Sequence, residues 1–196
     1  MKQRKEIISL CEVAIFAAIG FVLDFAANLY SGFIFPNGGS LSFALIAVVI
    51  VSFRRGTIYG MSCGLIIGLL DLTDGFYTIS DTWYKAFMQV GLDYIFTYML
   101  VGLSGLFKPL CKKVKPQFVV LLATVFAGIV KFISHFLSGV LFWPEFPNQP
   151  FLDRCIYSLL YNGSYMLPTI IISAVIVFIV AINYNKLFLI CDDEKN

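Results

Sequence analysis

The chain has 196 residues, of which 59% are hydrophobic and 13% are charged, and its mean hydropathy is +0.86. Soluble domains are usually about 25% charged, so a chain with half that share lacks the polar surface that a small protein needs in water, and we expect lipid to be its solvent. The net charge of +2, without a Lys/Arg cluster interleaved with polar contact residues, gives no indication of nucleic-acid binding.

Six apolar stretches follow one another along the chain, and a transmembrane helix needs about 20 such residues. The stretches cover residues 7–30, 41–53, 57–72, 84–107, 118–142 and 155–184. The first is longer than a signal-peptide core of about 7–15 residues and contains Glu12 and Asp24, so we expect a retained helix. The second and third are short, so tilt or neighbouring helices must shield them. We predict an all-α bundle of six transmembrane helices, with residues 1–196 as a single membrane domain.

The basic residues indicate the orientation of this bundle. If the N-terminus is cytoplasmic and the helices alternate, 11 of the 14 basic residues fall on the inner side, Lys85 and Arg154 on the outer side, and Lys131 within a helix. The outer loops would instead carry acidic residues, namely Asp71, Asp74, Asp81, Glu145 and Asp153. This bias matches the positive-inside rule, so we predict that both termini are cytoplasmic.

Small residues recur at spacing four on two of the predicted helices. The third helix carries Gly56, Gly60, Gly64 and Gly68, which puts a smooth stripe on one face where a neighbouring helix can approach closely. The first helix carries Ala14 and Ala18 at the same spacing. From the pattern alone, both are interpreted as packing.

Polar residues inside membrane spans are expensive, and they tend to face the bundle interior or an aqueous cavity. The informative ones within the predicted helices are Glu12, Asp24, Asp93, Lys131, Ser134, His135 and Asn162. Each has a structural interpretation: Lys131 could pair with Asp93 or Asp24, and His135 or Asn162 could hydrogen-bond between helices.

The depth of three of these residues indicates more than packing. Asp93, His135 and Asn162 all fall in the outer half of the bundle, on three consecutive helices. Aromatic residues share that level, namely Tyr77, Trp83, Tyr84, Tyr94, Trp143, Tyr157 and Tyr161. Interfacial Trp and Tyr belts are ordinary, but a carboxylate ringed by aromatics suits a planar cation, since each ring face adds about 0.5–2 kcal/mol of cation–π attraction. An Asn can both donate to and accept from the edge of a heterocycle.

Motifs for catalysis and for metal binding are missing from the sequence. It contains no GxSxG nucleophile elbow, no HExxH zinc motif and no P-loop, so we expect neither an enzyme nor an ATPase, nor a cofactor or metal site. It also shows no strong inverted repeat of the kind found in many secondary transporters. None of Cys11, Cys63, Cys111, Cys155 and Cys191 forms a CxxC pair, and we interpret them as packing residues. Such a chain can capture a solute but is underequipped to move it alone.

From Glu12 to Pro168 the chain resembles the thiamine-specific S components, the substrate-binding subunits of bacterial energy-coupling factor transporters. The order and spacing of several segments carry the resemblance, and single segments are weak. They are Glu12–Ala18, Pro36–Ser42, Ser52–Gly56, Leu92–Tyr94, His135–Gly139 with Phe142–Trp143, and Tyr157–Pro168.

The resemblance implies six helices and an outward-accessible thiamine pocket, with a lid formed by the loop after the first helix. By motif position its pocket would contain Asp93, Tyr94, His135, Trp143, Tyr157 and Asn162. Asp93 stands where some members carry Glu, and its shorter arm could shift the ligand or admit water. Tyr77 or Trp83 would add a pocket aromatic, and Phe33 stands where some relatives place a lid Trp.

The resemblance also implies partners and a mechanism. Ala14 and Ala18 match the surface that docks on a transmembrane coupling subunit, and two ATP-binding subunits drive the cycle. The S component would capture thiamine outside a bacterial cell membrane, dock, and topple to release the vitamin inside. Two alternatives stay open: an S component for another vitamin or a thiamine precursor, and an intramembrane enzyme that uses His135 and Asp93.

Overall fold

The computed structural model describes residues 2–35, 39–76, 78, 82–142 and 149–188. Within these ranges the chain forms six helices and a short 3-10 turn at Asn185–Leu187. The helices are α1 (Lys2–Ser31), α2 (Ala44–Arg55), α3 (Thr57–Asp74), α4 (Trp83–Lys112), α5 (Pro116–Phe142) and α6 (Phe151–Asn183).

A helix lies over each of the six apolar stretches, although several ends differ from the predicted ones. The first helix begins at Lys2 rather than at residue 7, and α4 continues to Lys112 rather than ending at residue 107. The last helix begins at Phe151 rather than at residue 155. The added residues include charged residues and a proline, and hydropathy alone does not assign such residues to a membrane span.

Among the described residues, four helices, α1, α4, α5 and α6, are long and apolar enough to cross a membrane. The 12-residue α2 is only about 18 Å long at 1.5 Å per residue, against a hydrocarbon core of about 30 Å. Nine of its 12 residues are nevertheless buried, from Ala44 to Phe53. It packs against α1, α3 and α4, so neighbouring helices shield this short helix, as the sequence led us to expect.

The apolar core lies around α2. Leu45, Val48 and Phe53 are fully buried there, and they belong to one cluster with Ile67 of α3 and Val120 of α5. Helices in lipid gain little from hydrophobic association, so close van der Waals packing must hold such a core together.

The glycine stripe of α3 lets the backbones of α3 and α4 meet. A Cβ atom at Gly64 would collide with the carbonyl oxygen of Tyr98, and one at Gly68 with the carbonyl oxygen of Tyr94. Gly102 of α4 plays the same role from the other helix, because a Cβ atom there would collide with the backbone of Met61 in α3. The stripe therefore allows the close helix approach that its spacing predicted.

Helix α4 changes its winding along its length. It is α-helical over Trp83–Val90, π-helical over Gly91–Ile95, α-helical again over Phe96–Val101 and 3-10 over Gly102–Lys112. The π turn contains Asp93 and Tyr94. Single π turns are rare, and those that occur are often at functional sites. The turn at Gly91–Ile95 is therefore a candidate position for a site on α4.

The two ends of the bundle differ in the side chains that lie there. We call the end where α2 meets α3 the arginine end, because Arg54 and Arg55 lie there. Both guanidinium groups bind the Glu12 carboxylate of α1, at 2.6 Å and 2.8 Å, and Arg54 also donates to the carbonyl oxygen of Leu187 at 2.8 Å. These bonds fix α1 and the segment after α6 to the α2–α3 junction.

Candidate binding cavity

A cavity of about 540 Å³ lies where α1, α3 and α5 end and where α4 and α6 begin; we call this the cavity end. Its lining includes residues from all five of these helices and from the segment after α1, such as Gly39 and Ser40. A volume of this size falls within the usual range of small-molecule sites, about 300–1,000 Å³. The cavity therefore has room for a small organic molecule.

Asp93 is held from one side by α5. His135 Nδ1 lies 3.3 Å from Asp93 Oδ1, and the Ser138 hydroxyl donates to Asp93 Oδ2 at 2.6 Å. The Thr97 hydroxyl lies 3.2 Å from His135 Nε2. If Nδ1 carries the imidazole proton, His135 donates to the carboxylate and accepts from Thr97. The carboxylate is thus oriented and keeps lone pairs for a ligand.

Asn162 is positioned by its own helix. Its Nδ2 atom donates to the carbonyl oxygen of Ser158 at 2.9 Å and contacts the Ser158 hydroxyl at 3.1 Å, while the Tyr165 hydroxyl donates to Asn162 Oδ1. The residue is buried and lines the cavity. Because both polar atoms of the amide are engaged, its orientation towards the cavity is fixed before any ligand arrives.

Aromatic rings form one wall of the cavity, which we call the tyrosine wall after Tyr157, Tyr161 and Tyr165. Tyr157 and Tyr161 stack with ring centroids 5.9 Å apart and planes at 6°. Tyr165 meets His135 edge to face at 6.0 Å and Phe35 at 5.6 Å. A cation placed against these rings would gain cation–π attraction in addition to the charge of Asp93.

Three further charged residues lie together in the same cavity, and the sequence did not predict that all three would be neighbours. Asp24, Asp71 and Lys131 are all buried and all line the cavity, and Lys131 Nζ lies 3.8 Å from the ring centroid of Tyr98. Asp24 and Asp71 are thus the acidic neighbours of Lys131 on the α1 and α3 side of the cavity. Asp71 lies in the last turn of α3, inside the apolar stretch of residues 57–72 and not in the outer loop to which the charge distribution assigns it.

The structure brings together five of the nine residues predicted for the binding site. They are Asp93, Tyr94, His135, Tyr157 and Asn162, and all of them line the cavity. Tyr77 and Trp143 lie outside the described residues.

The two remaining predicted residues are not part of the cavity lining. Phe33 is 91% exposed and Trp83 is 82% exposed, and Trp83 packs edge to face on Tyr84. In the segment after α1, Phe35 lines the cavity instead of Phe33. Residues in a loop follow no helical or strand periodicity, so the sequence does not indicate which of Phe33 and Phe35 faces the cavity.

Ala14 and Ala18, the predicted docking residues, are exposed on α1. They lie among large exposed apolar side chains, including Leu10, Ile15 and Ile19. In the part of the chain that the structure describes, no group of three His, Cys, Asp or Glu side chains is arranged to hold a metal ion.

Comparisons with known proteins point in one direction. The profile of a family described as "Thiamine transporter protein" matches residues 10–189. The chain is 32% identical to "Thiamine transporter ThiT" of Bacillus subtilis over 183 residues, which cover 90% of this chain and 91% of the relative. It is 28% identical to "Thiamine transporter ThiT" of Lacticaseibacillus paracasei, with 100% and 97% of the two chains covered.

A solved structure is similar as well. The structure of ThiT from Listeria monocytogenes matches with a TM-score of 0.72 at 26% identity, covering 94% of this chain and 98% of that one. These relatives are named as transporters and not as enzymes.

Proposed function

The chain belongs to the thiamine transporter protein family, and from this membership and the chemistry of its cavity we propose that it is the thiamine-capture subunit, or S component, of an ATP-driven vitamin transporter. The observation that carries the proposal is the Asp93 carboxylate, oriented by His135 and Ser138 beside the tyrosine wall. Thiamine presents a permanently positive thiazolium ring and an aminopyrimidine ring, which are a planar cation and a hydrogen-bonding heterocycle.

Each part of the cavity has a complementary part in thiamine. The carboxylate offers opposite charge and accepts hydrogen bonds from an amine, and Tyr157 and Tyr161 offer ring faces. Asn162 and Tyr94 line the same space and can meet the polar edges of a heterocycle. The formal charge of the lining is negative, with Asp24, Asp71, Asp74 and Asp93 against Lys131, which favours a cation over an anion.

We further propose that all six helices cross a bacterial cell membrane as a single membrane domain, with both termini cytoplasmic and the cavity end outside. The distribution of basic residues supports this orientation. Arg54 and Arg55 define the arginine end, and α4 ends beside them with Lys108 and Lys112, since its Gly105 lies against Thr57 at the start of α3. The burial of the short α2 among its neighbours supports its inclusion as a span. An extracellular cavity end would let the protein take thiamine from the medium.

Delivery requires partners that this chain does not contain. We propose that α1 docks on the transmembrane coupling subunit of an energy-coupling factor module with two ATP-binding subunits. Ala14 and Ala18 are exposed on this helix and would allow close helix approach. Toppling of the docked subunit would then turn the cavity end towards the cytoplasm.

Titration of the purified protein with thiamine tests capture. We expect submicromolar binding, measured calorimetrically and by quenching of fluorescence from the two tryptophans. A panel with thiamine monophosphate, the isolated pyrimidine and thiazole halves, and other vitamins tests the alternative solutes. Binding of another vitamin without thiamine would replace the proposed substrate, and binding of none would refute the proposed function.

Replacement of Ala14 by Leu tests docking separately from capture. We expect vitamin uptake by cells to be lost while thiamine affinity of the purified variant is unchanged, because the added side chain blocks helix approach far from the cavity. Ile171→Phe, which enlarges an already large exposed side chain on α6, is the matched control. Normal uptake with Ala14→Leu would remove the docking role.

A further inference from the structure

The π turn of α4 sets the direction of Asp93. The Phe96 amide donates to the carbonyl oxygen of Gly91, five residues back, instead of four. On a regular α-helix, residues five apart point about 140° apart, since each residue turns about 100°. Asp93 and Tyr98 are five apart, yet both line the cavity. The wide turn therefore brings onto the cavity side two polar side chains that a regular helix would separate.

Two neighbouring helices enclose this turn. On one side Gly68 of α3 lies against the carbonyl group of Tyr94, where no Cβ would fit. On the other side the Ser134 hydroxyl of α5 donates to the carbonyl oxygen of Leu92 at 2.6 Å. Ser134 is buried, so the donor of this hydrogen bond between helices is shielded from water, and losing such a bond is costly.

Ser134 belongs to a row of donors on α5. It precedes His135 directly and Ser138 by one helical turn, and both of those residues contact the Asp93 carboxylate. Ser134 differs from them in two ways. It binds the backbone of Leu92, the residue before Asp93, and it is not part of the cavity lining. It can therefore affect a ligand only through the position of α4.

We propose that Ser134 is a positioning residue for Asp93: its hydrogen bond to the Leu92 carbonyl group holds the π turn in the winding that aims the carboxylate into the cavity. This inference rests on the proposed function for its link to thiamine. Its structural half, the fastening of the π turn, does not depend on any ligand. Binding affinity tests the link to thiamine, and hydrogen–deuterium exchange tests the fastening of the π turn.

A double-mutant cycle tests the link to the ligand. We expect Ser134→Ala to weaken thiamine binding about five- to tenfold, as loss of one buried hydrogen bond does. In an Asp93→Asn background the same replacement should change the affinity less than twofold, because the carboxylate through which it acts is gone. An equal loss in both backgrounds, or no loss in the wild-type background, would overturn the positioning role.

Hydrogen–deuterium exchange of the ligand-free protein tests the fastening itself. We expect Ser134→Ala to speed amide exchange over residues 91–96 at least threefold. Ser173→Ala is the matched control, because Ser173 is a fully buried serine of α6 whose hydroxyl has no hydrogen-bond partner, and it should change neither exchange there nor affinity. Unchanged exchange with Ser134→Ala would refute the inference. If the wild type fails to bind thiamine, the proposed function fails, and exchange still decides the role of Ser134.

Discussion

The arginine end and the cavity end treat their carboxylates differently. At the arginine end both oxygens of Glu12 accept hydrogen bonds from Arg54 and Arg55, at 2.6 to 2.9 Å. At the cavity end Asp93 has one imidazole and one hydroxyl beside it, and Asp24 Oδ1 has no hydrogen-bond partner. One end satisfies its charge with protein groups, whereas the other leaves bonding capacity unused.

Burial makes this difference informative at Asp24, which is 2% exposed. An incompletely paired carboxylate in a low-dielectric site costs free energy, so it persists only where the surrounding packing or a ligand compensates. The cavity end combines such groups with a π turn, an open volume and a tyrosine wall. We infer that the arginine end serves stability and the cavity end serves binding, and substitutions at four positions test that division.

The largest expected effect is that of Asp93→Asn on ligand affinity. Loss of the charge should weaken thiamine binding about 100-fold, or about 2.7 kcal/mol, because a charged hydrogen bond to the ligand becomes neutral. The thermal midpoint without ligand should change little. Calorimetric titration measures the affinity. Asp153→Asn, which alters an exposed acid in the first turn of α6, should leave binding intact, and equal affinities of all three proteins would remove Asp93 from the site.

The opposite pattern is expected for Glu12→Gln. Two arginines then lose their common anion in a partly buried site, which should lower the free energy of unfolding by about 2 kcal/mol and the thermal midpoint by about 5 °C. Thiamine affinity should stay within twofold of the wild type. Thermal unfolding followed by circular dichroism gives the midpoint, with the exposed Glu6→Gln as control. A large loss of affinity at unchanged stability would contradict the division between the two ends.

A smaller effect is expected at the tyrosine wall. Tyr157→Leu should weaken binding about fivefold, since one cation–π contact contributes about 1 kcal/mol. Tyr157→Phe keeps the ring face and should lose less than half of that free energy. Competition with labelled thiamine measures both. If the two replacements weaken binding equally, the hydroxyl group matters and the ring face does not.

The smallest effect is expected at Phe33, which is exposed outside the cavity lining. If the segment after α1 closes as a lid, Phe33→Ala should raise the thiamine dissociation rate about threefold and hardly alter association, since affinity changes usually arise in dissociation. Stopped-flow fluorescence resolves the two rates. The exposed Phe151→Ala of α6 is the control, and unchanged dissociation would assign Phe33 no role in a lid.

The sequence predicts the helical stretches and several residues of the cavity lining for a clear physical reason. Twenty apolar residues in a row have few alternatives to a membrane helix, and a polar group within one must face a partner or a cavity. This reasoning predicts one depth for Asp93, His135 and Asn162, and the structure brings them to one cavity. Family membership, inferred from the order of short segments, is confirmed.

Other features were not predictable because they depend on tertiary contacts or local winding. One additional residue in a turn leaves no trace in hydropathy, so the π turn at Gly91–Ile95 could not be seen. The bonds of Glu12 to Arg54 and Arg55 join residues more than 40 positions apart. Likewise, nothing in the local sequence of Asp71 reveals that it lies with Asp24 and Lys131.

The most direct test of the account is an experimental structure of the protein with thiamine bound. We expect the vitamin in the cavity between α4, α5 and α6, with a ligand nitrogen within hydrogen-bond distance of the Asp93 carboxylate and a ring face against Tyr157 or Tyr161. Thiamine bound elsewhere, or an Asp93 side chain that points away from the ligand, would contradict it.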